Sequence, residues 1–196
     1  MESAKSFLKA SINISNFNDP SIEIKKNHIE EINFKFNINK ENTNILLGIG
    51  GSGPTKRIPA KIFIKFMEKI IEIKSCRFFL ATGKNEGEQK ILNEIINSKL
   101  GHLCTPLDNL NIKDTLPIIH NCNVSICNDT SFSHLSAALG IKTITLMADT
   151  PLIYGSYSSK MYPIIPDGET DVAHKTLGKD RINPDKIFKK LVEILN

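Results

Sequence analysis

Two stretches of this chain carry side chains suited to holding an anion. The first is Gly48-Ile49-Gly50-Gly51-Ser52-Gly53-Pro54-Thr55-Lys56-Arg57, where glycines, a hydroxyl and two cations follow an apolar run beginning at Asn44. Its opening letters fit the dinucleotide fingerprint G-x-G-x-x-G, but that motif needs its third glycine in the first turn of a helix. Here Pro54 through Arg57 intervene before Pro59 opens a helical pattern. The ribose-binding acid expected about 20 residues later at a strand end is absent, because Glu68 and Glu72 fall inside that helical pattern. The phosphate loop G-x-x-x-x-G-K-[ST] fails too, since Pro54 stands where lysine is required. What remains is a long, flexible loop presenting Lys56 and Arg57. By itself it reads equally well as a ligand loop or as a solvated surface loop.

The second stretch is Asn128-Asp129-Thr130-Ser131-Phe132-Ser133-His134, followed by small residues up to Gly140. An apolar strand, Val124 to Cys127, runs into three candidate N-caps, Asp129, Thr130 and Ser131, and then into a helix. The free N–H groups and dipole of a helix N-terminus bind phosphate, and His134 in the first turns adds a donor. Alone, Asp129 reads at least as well as a plain cap and His134 as a surface histidine. Lys56 changes the balance, because the C-terminal edge of a parallel sheet brings both loops to one mouth, where cation, amides and imidazole suit a diphosphate.

The elements that must position these groups are legible in the hydrophobic pattern. Asn44 to Ile49, Arg77 to Ala81, Val124 to Cys127 and Thr143 to Met147 are short aliphatic or aromatic runs without clear alternation, as expected of strands covered on both faces. Between them, Ile62, Phe66, Ile70 and Ile73 mark a helix from Pro59 to about Lys74. Ile91, Leu92, Ile95 and Ile96 mark another after Gly83, and Ser133 to Leu139 a third with Gly140 as its stop. A last helix opens at Asn183-Pro184-Asp185 with Ile187, Phe188, Leu191 and Ile194 on one face. Pro117 predicts that the helix before Val124 starts only at Thr115 or Leu116. Residues 1–43 read as a leader with helical pieces at Ala4 to Lys9 and Asn27 to Phe34, joined by an Asn-rich loop with Pro20. Residues 44–196 read as one doubly wound α/β domain with a mainly parallel sheet.

Composition narrows the partners. The 196 residues carry a formal charge of +4 from lysines scattered among acids, without a basic block or aromatic stripe, which favours a small anion over nucleic acid. Cys76, Cys104, Cys122 and Cys127 lack C-x-x-C or zinc spacing and read as small core residues in a reducing cytoplasm. No apolar run approaches the roughly 18 residues of a membrane span, and no signal peptide is evident.

Lys56-Arg57-Ile58-Pro59, then Asn128 to Ala138, then Asp149-Thr150-Pro151-Leu152-Ile153-Tyr154-Gly155-Ser156-Tyr157 resemble, in that order, the C-terminal half of bacterial heptosyltransferases, the lipopolysaccharide-core enzymes of glycosyltransferase family 9. The family has a lysine before Trp-Pro, an Asp-Thr-Gly-x-x-His helix start and a Thr-Asp-Pro loop. The resemblance covers about Ile45 to Ile164. It implies a Rossmann-like donor domain of the two-domain GT-B architecture, binding a nucleotide sugar, commonly ADP-heptose, and transferring the sugar with inversion. By the same resemblance Ser52 lies near the donor phosphates, Lys56 contacts them, and either Glu86 or Glu88 meets the ribose. Leu110 lines the adenine pocket, while Asp129, Thr130, Ser131 and His134 surround diphosphate and sugar. Lys56 and His134 stabilise the leaving group. The catalytic base is expected in an acceptor half absent from this chain, so the chain alone is expected to bind donor and turn over little. No metal or cofactor is expected, because these donors can offset the developing charge. The acceptor is expected to be a lipid-linked saccharide, met in the cytoplasm, free or at the inner face of the inner membrane.

Three departures from the family pattern stand out. Ser131 replaces a glycine and sets a Cβ where backbone approaches the ligand, Ile58 replaces tryptophan, and glycines around Ser52 replace bulkier polar residues. A non-catalytic nucleotide-sugar binding module and a sugar-nucleotide epimerase share this architecture and are the alternatives, with a nicotinamide dehydrogenase well behind.

Overall fold

A computed structural model describes residues 2–13, 18–39 and 41–196. Part of the Asn-rich connection expected in the leader, residues 14–17, lies outside them. The strands are β1 (Thr43–Gly48), β2 (Cys76–Ala81), β3 (Cys104–Pro106), β4 (Val124–Asn128), β5 (Thr143–Leu146) and β6 (Met161–Ile164). They form a six-stranded sheet in the order β3-β2-β1-β4-β5-β6, parallel at every pairing. The helices are α1 (Glu2–Ile12), α2 (Lys26–Lys35), α3 (Ala60–Ile71), α4 (Glu86–Ile96), α5 (Ile112–His120), α6 (Ser131–Ala138), α7 (Ile153–Ser156) and α8 (Pro184–Leu195). Among the described residues no helix is long and apolar enough to cross a membrane.

The lack of alternation in the central strands has a simple cause. Ile45 and Leu47 of β1 and Phe78 and Leu80 of β2 enter one core with α3, α4 and α8, whereas Leu46, Phe79 and Ala81 enter a second core with α5 and with Ile32 of α2. Successive residues of a strand point to opposite faces, so two cores demand two apolar sets. On α3, Ile62, Phe63, Phe66, Met67 and Ile70 form the buried stripe. Ile58, in the place of the family's tryptophan, is fully buried in the same core.

Several expectations need correction. Ile73 is 56% exposed, because α3 ends at Ile71 and the chain there is no longer in helical phase. The helix α5 starts at Ile112, earlier than Pro117 predicts, with Asn111 accepting a hydrogen bond from the Asp114 N–H at 2.9 Å. The proline sits buried inside it, so only one helical donor is lost and packing compensates. The edge strands β3 and β6 escaped the pattern because they are three and four residues long and contain Pro106 and Pro163. An edge tolerates proline because one side of the strand needs no donor. Gly140 does end α6: at φ +79°, its N–H bonds Ala137 O and that of Ile141 bonds Ser136 O, the left-handed closure that glycine permits.

All four cysteines are free thiols. Burial pushes Cys76 up to about 11 against the opposing charge of Lys74, and pushes Cys104 and Cys127 up to about 12. Cys122, buried beside Cys127, is raised as well. Thiolate is the reactive form, so the native chain should react negligibly with a disulfide reagent at pH 8 over minutes. Four thiols should become titratable only in denaturant, and rapid native modification would contradict this packing.

Candidate functional site

The strand order reverses between β1 and β4, and such a reversal leaves a crevice at the carboxyl ends of the strands. Gly48, the last residue of β1, pairs with Cys127 of β4. A Cβ on Gly48 would lie 2.6 Å from the Cys127 Sγ, so glycine is what lets the two strand ends approach. Above them opens a cavity of about 910 Å³ lined by both loops singled out in the sequence.

The glycine loop, residues 49–59, is pinned and not flexible as its composition suggests. Asn128 Nδ2 donates to the carbonyls of Ile49 and Gly50 at 2.9 and 3.0 Å, Arg57 Nε donates to Gly51 O at 2.9 Å, and Glu88 Oε1 accepts the Gly51 N–H at 2.6 Å. The two cations therefore part company. Lys56 lines the cavity, while Arg57 braces the loop against the start of α4, where its Nη1 occupies the space a side chain at Gly87 would need.

Lys56 Nζ meets Asp129 Oδ2 at 2.7 Å, with Asp129 only 9% and Lys56 24% exposed. The pair spans the crevice from the β1 loop to the β4 loop and joins the two sequence motifs. Thr130 occupies the N-cap position of α6 but makes no side-chain cap bond. None of the three candidate caps plays that part; the Ser133 N–H is bonded to Thr130 O, and helix geometry leaves the N–H groups ahead of it without intrahelical partners. Ser131 and Ser52 are both exposed residues of the cavity lining. His134 lines the same cavity, its Nδ1 lying 3.0 Å from the Tyr157 hydroxyl and its ring stacked on that of Tyr157.

Glu86 and Glu88 are separated by the fold. Glu86 is exposed and faces a different surface depression, so it takes no part in the cavity. Glu88 lines the cavity and is 6% exposed. Its carboxylate fits because Gly50 and Gly83 have no side chains: a Cβ on either would lie 2.9 or 2.3 Å from its oxygens. The signal was present in the sequence. Asn85 caps α4 by accepting the Glu88 N–H, and an Asn-x-x-Glu spacing puts the glutamate in the first turn, facing inward.

At the β3 end Leu110 lines the cavity with Leu107, Ile112 and Phe132, an apolar wall of aromatic-base size, with Asp108 beside it. At the β5 end lie Thr150, Tyr154 and His174. Thr82, Thr130 and Thr150 have buried hydroxyls without a partner among the described residues; Thr130 and Thr150 stand in stretches that the sequence singled out, whereas nothing there points to Thr82. Asp149 is turned away from the cavity and accepts the Leu177 N–H at 2.8 Å. Burial would raise its carboxyl, but hydrogen bonds from the Leu177 N–H, the Thr55 hydroxyl and the Lys175 N–H, with the charge of His174, hold it below the ordinary range.

One end of the cavity is apolar, the middle has a cation beside a helix N-terminus, and the far end is polar, a sequence of environments that suits base, diphosphate and sugar in turn. The sequence pattern of glycosyltransferase family 9 (heptosyltransferase) matches residues 8–167. No curated protein matches the chain. The fold is similar to Escherichia coli ADP-heptose lps heptosyltransferase II, with 20% identity, TM-score 0.72, and 90% of this chain and 53% of that one covered. It is also similar to the family 9 glycosyl transferase from Veillonella parvula, with 15% identity, TM-score 0.74 and coverages of 97% and 58%. E. coli heptosyltransferase WaaC with ADP aligns at 13% identity and TM-score 0.66 over 98% of this chain and 56% of that one. The chain spans about half the length of these solved structures.

Proposed function

This chain belongs to glycosyltransferase family 9, the heptosyltransferase family, and from that premise we propose that it is the donor-binding half of an inverting sugar transferase. The observation that carries the reading is the Lys56–Asp129 pair at the mouth of α6, set between an apolar wall and a polar end of one cavity. The WaaC structures with ADP and with ADP-2-deoxy-2-fluoro heptose support an ADP-heptose-like donor. Its adenine would rest against Leu107, Leu110 and Phe132 and its ribose near Glu88. The diphosphate would meet Lys56, His134, Ser52 and the amides at Thr130 and Ser131, leaving the sugar toward Thr150.

In the reaction proposed, an acceptor hydroxyl attacks the anomeric carbon from the face opposite the diphosphate. The bond from that carbon to the bridging oxygen breaks, its electron pair passes to the diphosphate, and the hydroxyl proton goes to a base on the acceptor half. Lys56, His134 and the α6 amides stabilise the charge developing on the leaving group without reorganising, which is where a fixed site is most effective. The acceptor in this reading is a lipid-linked saccharide of the lipopolysaccharide core, reached in the cytoplasm at the inner face of the inner membrane. The chain by itself should bind donor and transfer little sugar.

Calorimetric titration with ADP, ADP-heptose, UDP-glucose and NAD tests the proposal. Saturable binding of the adenosine diphosphate compounds, with NAD and UDP-glucose at least about tenfold weaker, is the expected result. Failure of every nucleotide to bind would sink it.

A further inference from the structure

Of the two imidazoles that line the cavity, His134 and His174, the one beside the α6 N-terminus is held by a residue to which the sequence pattern assigned no role. His134 and Tyr157 come from different loops, one in the first turn of α6 and the other just after α7. Their rings stack at 5.6 Å with an interplanar angle of 18°, and the Tyr157 hydroxyl lies 3.0 Å from Nδ1. We infer that Tyr157 is a positioning residue that fixes His134 as the neutral tautomer carrying its proton on Nε2, leaving an N–H donor for the donor's diphosphate. The use of that N–H rests on the function proposed above; the tautomer does not.

The direction of the hydrogen bond follows from counting donors and acceptors. Among the described residues the Tyr157 hydroxyl has no partner other than His134. If Nδ1 carried the proton, the phenolic O–H would have no acceptor in a half-buried site, and an unpaired polar hydrogen there is costly. With O–H donating to Nδ1 both groups are satisfied, and a neutral imidazole then has its proton on Nε2. Burial, and then the carboxylate of Asp19, raise the Tyr157 hydroxyl above its ordinary value, so it stays a donor throughout the neutral range. Asp19 is itself held in place by the Ser158 hydroxyl at 2.6 Å, which anchors the residue next to Tyr157. No protein group bonds Nε2 among the described residues, and His134 lines the cavity. A donor fixed in this way supplies a hydrogen bond to a phosphoryl oxygen without first having to take up a proton.

Long-range ¹H–¹⁵N spectra of the five histidines in the full chain decide the tautomer, with His134→Gln used to assign the signal. The expected result is a protonated Nε2 and an unprotonated, hydrogen-bonded Nδ1 for His134 before any ligand is added. Tyr157→Phe keeps the stack and removes the hydroxyl. It should leave the fold unchanged by circular dichroism, mix the His134 tautomers and weaken ADP binding by about 5- to 10-fold, the scale of one ordinary hydrogen bond lost. A wild-type His134 protonated on Nδ1 overturns the inference, as does a Tyr157→Phe variant with unaltered tautomer and affinity. If Tyr157→Phe fails to fold, the wild-type spectrum still decides the tautomer. If ADP does not bind the wild type, the proposed function falls and the spectrum still decides the tautomer on the free chain.

Discussion

Lys56→Ala should weaken ADP binding by about 100-fold in calorimetric titration, the loss expected when a charge-assisted contact to a diphosphate is removed inside a sheltered cleft. Two effects add. The ammonium is lost, and Asp129, which it contacts at 2.7 Å and which is only 9% exposed, becomes an unpaired negative charge close to the phosphates. That carboxylate also destabilises the fold of the single variant, because breaking a sheltered ion pair from one side strands the other charge. The combined change Lys56→Met with Asp129→Asn separates the two effects. It should recover most of the stability and only the part of the affinity lost to the repulsion of Asp129, leaving the part lost with the ammonium. An ADP affinity within threefold of wild type in Lys56→Ala would show that the diphosphate does not lie against this lysine.

Phe66→Ala should cost about 3–5 kcal/mol of stability, the usual range for emptying a large aromatic site in a core. The ring is fully buried in the core formed by the sheet with α3, α4 and α8 and packs edge-on against Phe63, with ring centroids 6.1 Å apart. In a chain of this size each kcal/mol moves the midpoint by roughly 2–4 °C, so thermal unfolding should shift down by roughly 6–20 °C. Because Phe66 faces the sheet and not the cavity, ADP affinity measured well below that midpoint should be nearly unchanged. A loss of stability below about 1.5 kcal/mol would mean that α3 is less tightly packed than its buried stripe indicates.

The helices and central strands were legible because they obey short-range rules. The apolar stripe of α3, the Asn183-Pro184 start of α8 and the Gly140 stop of α6 are each set by a few neighbouring residues, and they stand where the pattern places them, apart from Ile73, which lies beyond the end of α3. The edge strands β3 and β6 were not legible, because a three- or four-residue run containing proline becomes a strand only when a neighbouring strand offers it a ladder. Glycine content likewise misled about the β1 loop. Glycine permits flexibility, but hydrogen bonds with Asn128 and Glu88, distant in sequence, and with Arg57 farther along the same loop hold it in place here.

From the sequence alone came the α/β alternation, the two loops that end β1 and β4, and the residue types suited to a diphosphate, since strand pattern and helix-start chemistry are local. Tertiary structure decided which of those residues share a cavity. Crossing from β1 to β4 at the reversal of strand order set Lys56 against Asp129, 73 positions apart. The packing of α4 set Glu88 against the Gly51 N–H, 37 positions away, and the loop after β5 brought Tyr157 onto His134. Each of these is a contact between segments far apart in the chain, and such a contact exists only once the sheet has formed.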